Sequence, residues 1–255
     1  TAHDDSDGHE HGGGPATAPA AEGVGGLAVS AQGHRLVVER TALTAGRPES
    51  LKLRVHGPDG MPVTAFDVVH DKPMHLIVVR RDMTGYQHLH PEMSADGTWS
   101  VPVTLPQPGA WRAYADFTVR GPGDRRTALT LGLDLTAAGD YRPRALPAPA
   151  TSATVAGYTV EYEGTARVGA AQPLLFRVKK SGAAAAVEPY LGAYGHLVVL
   201  REGDLGYVHV HPEERLAGAA VKFWLAAPGP GRYRMFFDFR VAGVVHTAEF
   251  SLAVP

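Results

Sequence analysis

HLIVVRRDMTGYQHLHPE at residues 75–92 and HLVVLREGDLGYVHVHPE at residues 196–213 are two versions of one segment, and their reading decides the fold. In each, an apolar run opens on a histidine, a short turn containing Asp and Gly follows, and His-x-His-Pro-Glu closes the unit. The second and third histidines lie 13 and 15 residues after the first in both copies: His75, His88 and His90, then His196, His209 and His211. Two short apolar runs joined by a tight turn read as a β-hairpin. With an even turn length His75 lies opposite His90, and the two-residue period of a strand brings His88 to the same face. Three imidazoles on one face of a hairpin are therefore expected, twice.

The duplication extends outward. PGAWRAYADF (108–117) matches PGRYRMFFDF (230–239), so that Asp116 and Asp238 each follow the glycine by seven residues, and Arg54–Val55 matches Arg177–Val178. Helix signals are almost absent, and strand-like runs recur at the spacing of β-sandwiches. The fold class expected is all-β: two tandem immunoglobulin-like or cupredoxin-like β-sandwiches, at 27–136 and 154–255. Residues 137–153, rich in Pro and Ala, read as a linker. Residues 1–26, rich in His, Gly and Asp, read as a disordered tail.

The Pro-Gly-x-aromatic segments match the corner that precedes strand F of an immunoglobulin-like sandwich, where F lies beside C and C beside C′. That assignment carries Asp116 to the start of the His75 strand and Asp238 to the start of the His196 strand. One metal site per sandwich follows: His75, His88, His90 and Asp116, then His196, His209, His211 and Asp238. A set of three histidines and a carboxylate suits copper, zinc or iron; copper is the first choice here and zinc the second. Weaker candidates are His70 in HDKPMH, the thioethers of Met74 and Met93, and His3, which could chelate Cu(II) with the amino terminus and backbone amides if Thr1 is the native start. Glu92 and Glu213 are expected to orient an imidazole or to stay solvated. Alternation leaves Ile77, Val79, Tyr86 and Tyr114, and in the second unit Val198, Leu200, Tyr207 and Phe236, on the outward faces. Faces so apolar predict contact between the two units or a homodimer.

Composition removes other classes. With 24 Lys+Arg against 26 Asp+Glu there is no basic surface for nucleic acid. The absence of cysteine excludes disulfides, iron–sulfur clusters, thiolate zinc sites and blue-copper centres. No apolar run is long enough for a transmembrane helix. GxSxG, Walker, dinucleotide and HExxH motifs are missing. The HxH element resembles the first motif of cupins, but the glutamate follows by only two residues and the third histidine precedes the pair.

Taken together, the two segments resemble the tandem, histidine-bearing secreted or lipoprotein sandwiches of actinobacteria and, more distantly, the CopC-type copper-binding sandwiches of the bacterial envelope. The resemblance implies an extracytoplasmic, secreted or envelope-associated protein that binds metal ions for buffering, resistance or delivery to a partner protein. The competing expectations are a cupin-like mononuclear metal oxidase or dioxygenase, and an adhesion or partner-binding sandwich whose histidines are incidental.

Overall fold

The computed structural model describes residues 23–255. It is all-β, built as two sandwiches in tandem. In the first, one sheet runs Ser30–Ala31, His34–Val38, Pro48–His56, Trp99–Thr104, Glu92–Met93; the other runs Ala42–Leu43, Arg126–Ala137, Gly109–Arg120, Met74–Arg80, Gln87–Leu89. The second sandwich repeats the plan. One sheet holds Ser152–Val155, Tyr158–Glu163, Gln172–Lys180, Val221–Leu225 and Val210–Pro212; the other holds Tyr207–Val208, His196–Arg201, Gly231–Val241 and Val244–Val254. No helix among the described residues is long and apolar enough to cross a membrane.

Alternation sorts each strand between two environments. Tyr233, Met235, Phe237 and Phe239 fill the core of the second sandwich, while Phe236 points the other way. Met74, Leu76 and Val78 fill the core of the first, leaving Ile77 and Val79 outward. Every residue of Met74–Arg80 is nevertheless buried. A strand covered on both faces reads as a continuous apolar run rather than an alternating one, which is why HLIVV looks as it does.

The cover on the outward face is the other sandwich. Ile77, Val79, Tyr114, Val198, Leu200, Tyr207 and Phe236 form one buried cluster, with Tyr86 packed against it. The Tyr86 and Phe236 rings stack at 4.2 Å, and the Tyr114 hydroxyl donates to the Leu205 carbonyl at 2.5 Å. The apolar faces expected to meet are thus a third core that joins the two units.

The segment between the sandwiches is laid down rather than free. Leu146 packs into the joint cluster, and the Arg144 backbone N–H donates to Asp82 Oδ2 at 2.8 Å. Asp82 also accepts from Arg80 and from the Thr84 hydroxyl, with both charged side chains 3% exposed. Burial raises the Asp82 carboxyl, but Arg80, Thr84 and the Arg144 amide outweigh it and hold it at about 2. Asp82→Ala strands the Arg80 guanidinium in the interior and is expected to cost about 3–5 kcal/mol. The urea midpoint measures it; a loss below about 1 kcal/mol, the range of exposed pairs, would show that Asp82 does not anchor the segment.

The N-terminal boundary needs correction: residues 1–22 lie outside the described ones, but residues 24–26 of the expected tail are seated, with Val24 packed against the core of the second sandwich. Gly25 exchanges backbone hydrogen bonds with Tyr207, and the Gly26 N–H donates to the Thr130 carbonyl at 2.9 Å. Gly26 takes φ +70° with the Tyr114 ring against it, where a Cβ would collide, so glycine is required at this position of the strap.

Candidate metal centre

Strand pairing puts the first three histidines where the spacing places them. Ile77 pairs with His88 and Leu76 with Leu89, so the register continues to His75 opposite His90. The His75 ring lies 5.3 Å from His88 and 5.2 Å from His90 by ring centroids, and His88 lies 4.8 Å from His90. One nitrogen from each comes within 4.8 Å of the others.

The second sandwich completes the group. His196 pairs in register with Asp238, and the joint core carries both across to the first unit. The His196 ring stacks on His75 at 5.7 Å and lies 4.5 Å from His88. Asp238, 1% exposed, accepts from Tyr86 at 2.8 Å, from His88 Nδ1 at 2.9 Å and from the Thr247 hydroxyl at 2.6 Å. Burial nonetheless raises its carboxyl above the usual range, against His196, Thr247 and Tyr86, which lower it.

The tautomers are assigned from the hydrogen-bond partners, with Asp238 taken as ionised. His88 Nδ1 faces the Asp238 carboxylate and carries the proton, which leaves a lone pair on Nε2. His75 Nε2 donates to the Val69 carbonyl at 2.8 Å, which leaves a lone pair on Nδ1. These two lone-pair nitrogens face each other at 3.1 Å. A shared proton is not held there at neutral pH. Burial, reinforced by the neighbouring histidines, lowers His88 to about 3; burial also lowers His75, despite the Val69 carbonyl. Two nitrogens bound to one tetrahedral ion at about 2.0–2.1 Å stand roughly 3.3 Å apart, so the spacing is one that a shared cation would fit. His90 Nε2 and His196 Nδ1 are also buried with no hydrogen-bond partner. Burial, then the adjacent imidazoles, lowers His90 to about 3 and His196 well below its usual value.

The expectation of one site per sandwich is corrected: among the described residues the ligand-competent groupings are His75, His88, His90 and His88, His196, Asp238, which share His88. Their counterparts His209, His211 and Asp116 do not close. In the second unit the hairpin pairing stops at Val199–Val208, and Val210–Pro212 turns to the other sheet, where His211 pairs with Trp224 and is exposed. The glycine strap lies alongside His209, whose Nε2 meets the Thr130 hydroxyl at 3.3 Å, while that hydroxyl donates to Asp116 at 2.8 Å. Asp116 pairs in register with His75, as expected, but Thr130 occupies its carboxylate. Asp238 is likewise better described as the partner that orients His88 than as a ligand.

Of the weaker candidates, His70 stands 6.1 Å from the His75 ring and 6.0 Å from His196. Met74 is corrected: it faces the core of the first sandwich, opposite to His75. Met93 packs partly buried against that core and lines a cavity of about 380 Å³ with His90. Glu92 is exposed, and Glu213 accepts from Trp224 Nε1 at 2.7 Å, so neither orients an imidazole. His3 lies outside the described residues. Sequence reasoning missed Thr247 and Thr130. The signal for Thr247 was present: Ala242 and Gly243, both at positive φ, make a two-residue hairpin turn that sets Thr247 opposite Asp238.

The family model described as "Domain of unknown function (DUF8832)" matches the chain twice, over residues 29–141 and 153–255. The chain belongs to this family. Each DUF8832 repeat coincides with one sandwich, and the centre lies where the two repeats meet. No curated protein matches. Among solved structures, the Escherichia coli adhesin FdeC is 15% identical over 89% of this chain and 66% of its own, with a TM-score of 0.29. Salmonella alpha-2-macroglobulin reacted with methylamine is 14% identical over 94% of this chain and 16% of its own, with a TM-score of 0.31. Invasin, described as a bacterial integrin-binding protein, is 10% identical over 86% of this chain and 39% of its own, with a TM-score of 0.24. The chain spans less than two thirds of the length of each. Likeness this slight says nothing about what the chain binds.

Proposed function

We propose that this DUF8832 protein binds one transition-metal ion between its two repeats, with His75, His88, His90 and His196 as ligands and Asp238 holding the Nδ1–H of His88. The observation that carries the reading is the 3.1 Å approach of His75 Nδ1 to His88 Nε2, the two nitrogens left unprotonated when His75 Nε2 donates to Val69 and His88 Nδ1 to Asp238, backed by two further buried ring nitrogens without partners. Neutral imidazoles accept copper, zinc, iron or nickel, and Cu(II) stands highest in the general affinity order, with zinc second here. The preference for copper rests on this donor chemistry and not on the CopC-type likeness. Placement outside the cytoplasm, and a role in buffering or in delivery to a partner, rest on the sequence resemblance.

Titration of metal-stripped, untagged protein shortened to residues 23–255 tests the reading. About one Cu(II) or Zn(II) per chain is expected, with a rise in Tm by mass action. Two equivalents would restore one site per sandwich; none would refute metal binding. Asp238→Asn removes the carboxylate that fixes the His88 tautomer, and its expected cost is about 10–100-fold in metal affinity at unchanged stoichiometry.

A second reading keeps the histidines structural: a partner-binding sandwich pair in which His88–Asp238 and Tyr86–Asp238 latch the joint face. The hydrogen bonds across the two repeats favour it. The same titration separates the two, because a latch needs no metal.

A further inference from the structure

A buried metal centre needs a path by which an ion reaches it. Resting on the metal-binding reading, we propose that the residues of the unclosed second group form that path: a histidine-lined loading route from solvent to His75. A cavity of about 170 Å³ is lined by His211, His209, Asp116, His70 and Lys72 together with His75, the one member of the centre on its wall. The donors grade inward in burial. His211 is exposed; His209, Asp116 and His70 are half-buried; His75 is 3% exposed. His70 then stands about equally far from His75 and His196, at 6.1 and 6.0 Å between ring centroids.

The chemistry suits transit rather than residence. A hydrated divalent cation sheds its waters one at a time if nitrogen or carboxylate donors replace them in sequence, and no single position along this wall gathers three donors within ligating reach of one another, as His75, His88 and His90 do. The Thr130 hydroxyl holds Asp116 Oδ1 and meets His209 Nε2, fixing both side chains on the cavity wall without burying them. Lys72 is the one cation on the wall and opposes passage.

Loading and removal kinetics of the full chain test the route, with Cu(II) alone as the probe and an excess of chelator for removal. The double variant His209→Gln, His211→Gln is expected to slow both loading and removal by about tenfold, the low end of electrostatic and donor guidance, with stoichiometry and Kd unchanged. A residue that only guides an ion must alter both rates by the same factor, since it leaves the end states untouched. Lys72→Gln is expected to act oppositely and speed both. His211→Gln alone, at an exposed position, guards against a folding defect. Unchanged rates in all three variants would overturn the route, and a weakened Kd or a lost equivalent would overturn it by making these residues resident ligands. Absence of Cu(II) binding by the unaltered chain would instead overturn the metal-binding reading on which the route depends.

Discussion

Replacing His88 by alanine is expected to abolish stoichiometric metal binding, whereas the same change at His209, its counterpart in the second repeat, is expected to leave the equilibrium affinity intact. His88 is common to both ligand-competent groupings and joins the repeats through Asp238. Its loss removes a proposed ligand and, among the described residues, the one imidazole that Asp238 orients, so the expected fall in affinity exceeds the roughly 100-fold seen when outer partners of a ligand are lost. Calorimetric titration of both variants measures the contrast. Equal losses from His88→Ala and His209→Ala would mean that the repeats bind independently, contrary to the geometry.

Acid destabilises the metal-free protein steeply. His75, His88, His90 and His196 are held below the free-imidazole value, two of them to about 3, chiefly by burial. Between about pH 6.5 and pH 3 the unfolded chain binds protons that the folded chain refuses, so stability falls as pH falls through that window. Each histidine contributes up to about 1.4 kcal/mol per pH unit. Asp238, whose carboxyl burial raises, works in the opposite direction below that carboxyl's folded value and offsets part of the loss. Domains of this size hold a net stability of about 5–15 kcal/mol, so the metal-free protein is expected to unfold well above pH 3. Protons are therefore expected to compete with metal by unfolding the site, not by titrating it in place, and saturating Cu(II) is expected to shift the acid transition to lower pH. Urea midpoints between pH 7.5 and 4.5, with and without metal, measure this; a midpoint independent of pH without metal would show that the imidazoles are not buried as neutral rings.

Much of this architecture was legible because strands have a period of two. The spacing of His75, His88 and His90 fixed their common face once a turn of even length was assumed, and the pairing of Ile77 with His88 realises it. The alternation in RYRMFFDF separated Phe236 and Asp238 from the core set, and the apolar outward faces pointed to the contact between repeats. What repetition concealed was asymmetry. Two similar segments read as two similar sites, yet the fold breaks the equivalence with features that have no repeat partner: the Val24–Gly26 strap against Tyr207, and the early departure of Val210–Pro212 to the opposite sheet. Contacts such as Tyr86 with Asp238, 152 residues apart, arise from docking the sandwiches and leave no local trace in the sequence. Met74 was misplaced for a simpler reason: its neighbour His75 faces the centre, so alternation sends Met74 into the core.

Whether the two repeats hold one ion jointly is decided by an anomalous-difference map at the copper absorption edge, from crystals of the Cu(II)-loaded protein. A single strong peak is expected within bonding distance of His75, His88, His90 and His196; two peaks, one beside Asp116 and His75 and the other beside Asp238 and His196, or none, would rule out a shared ion.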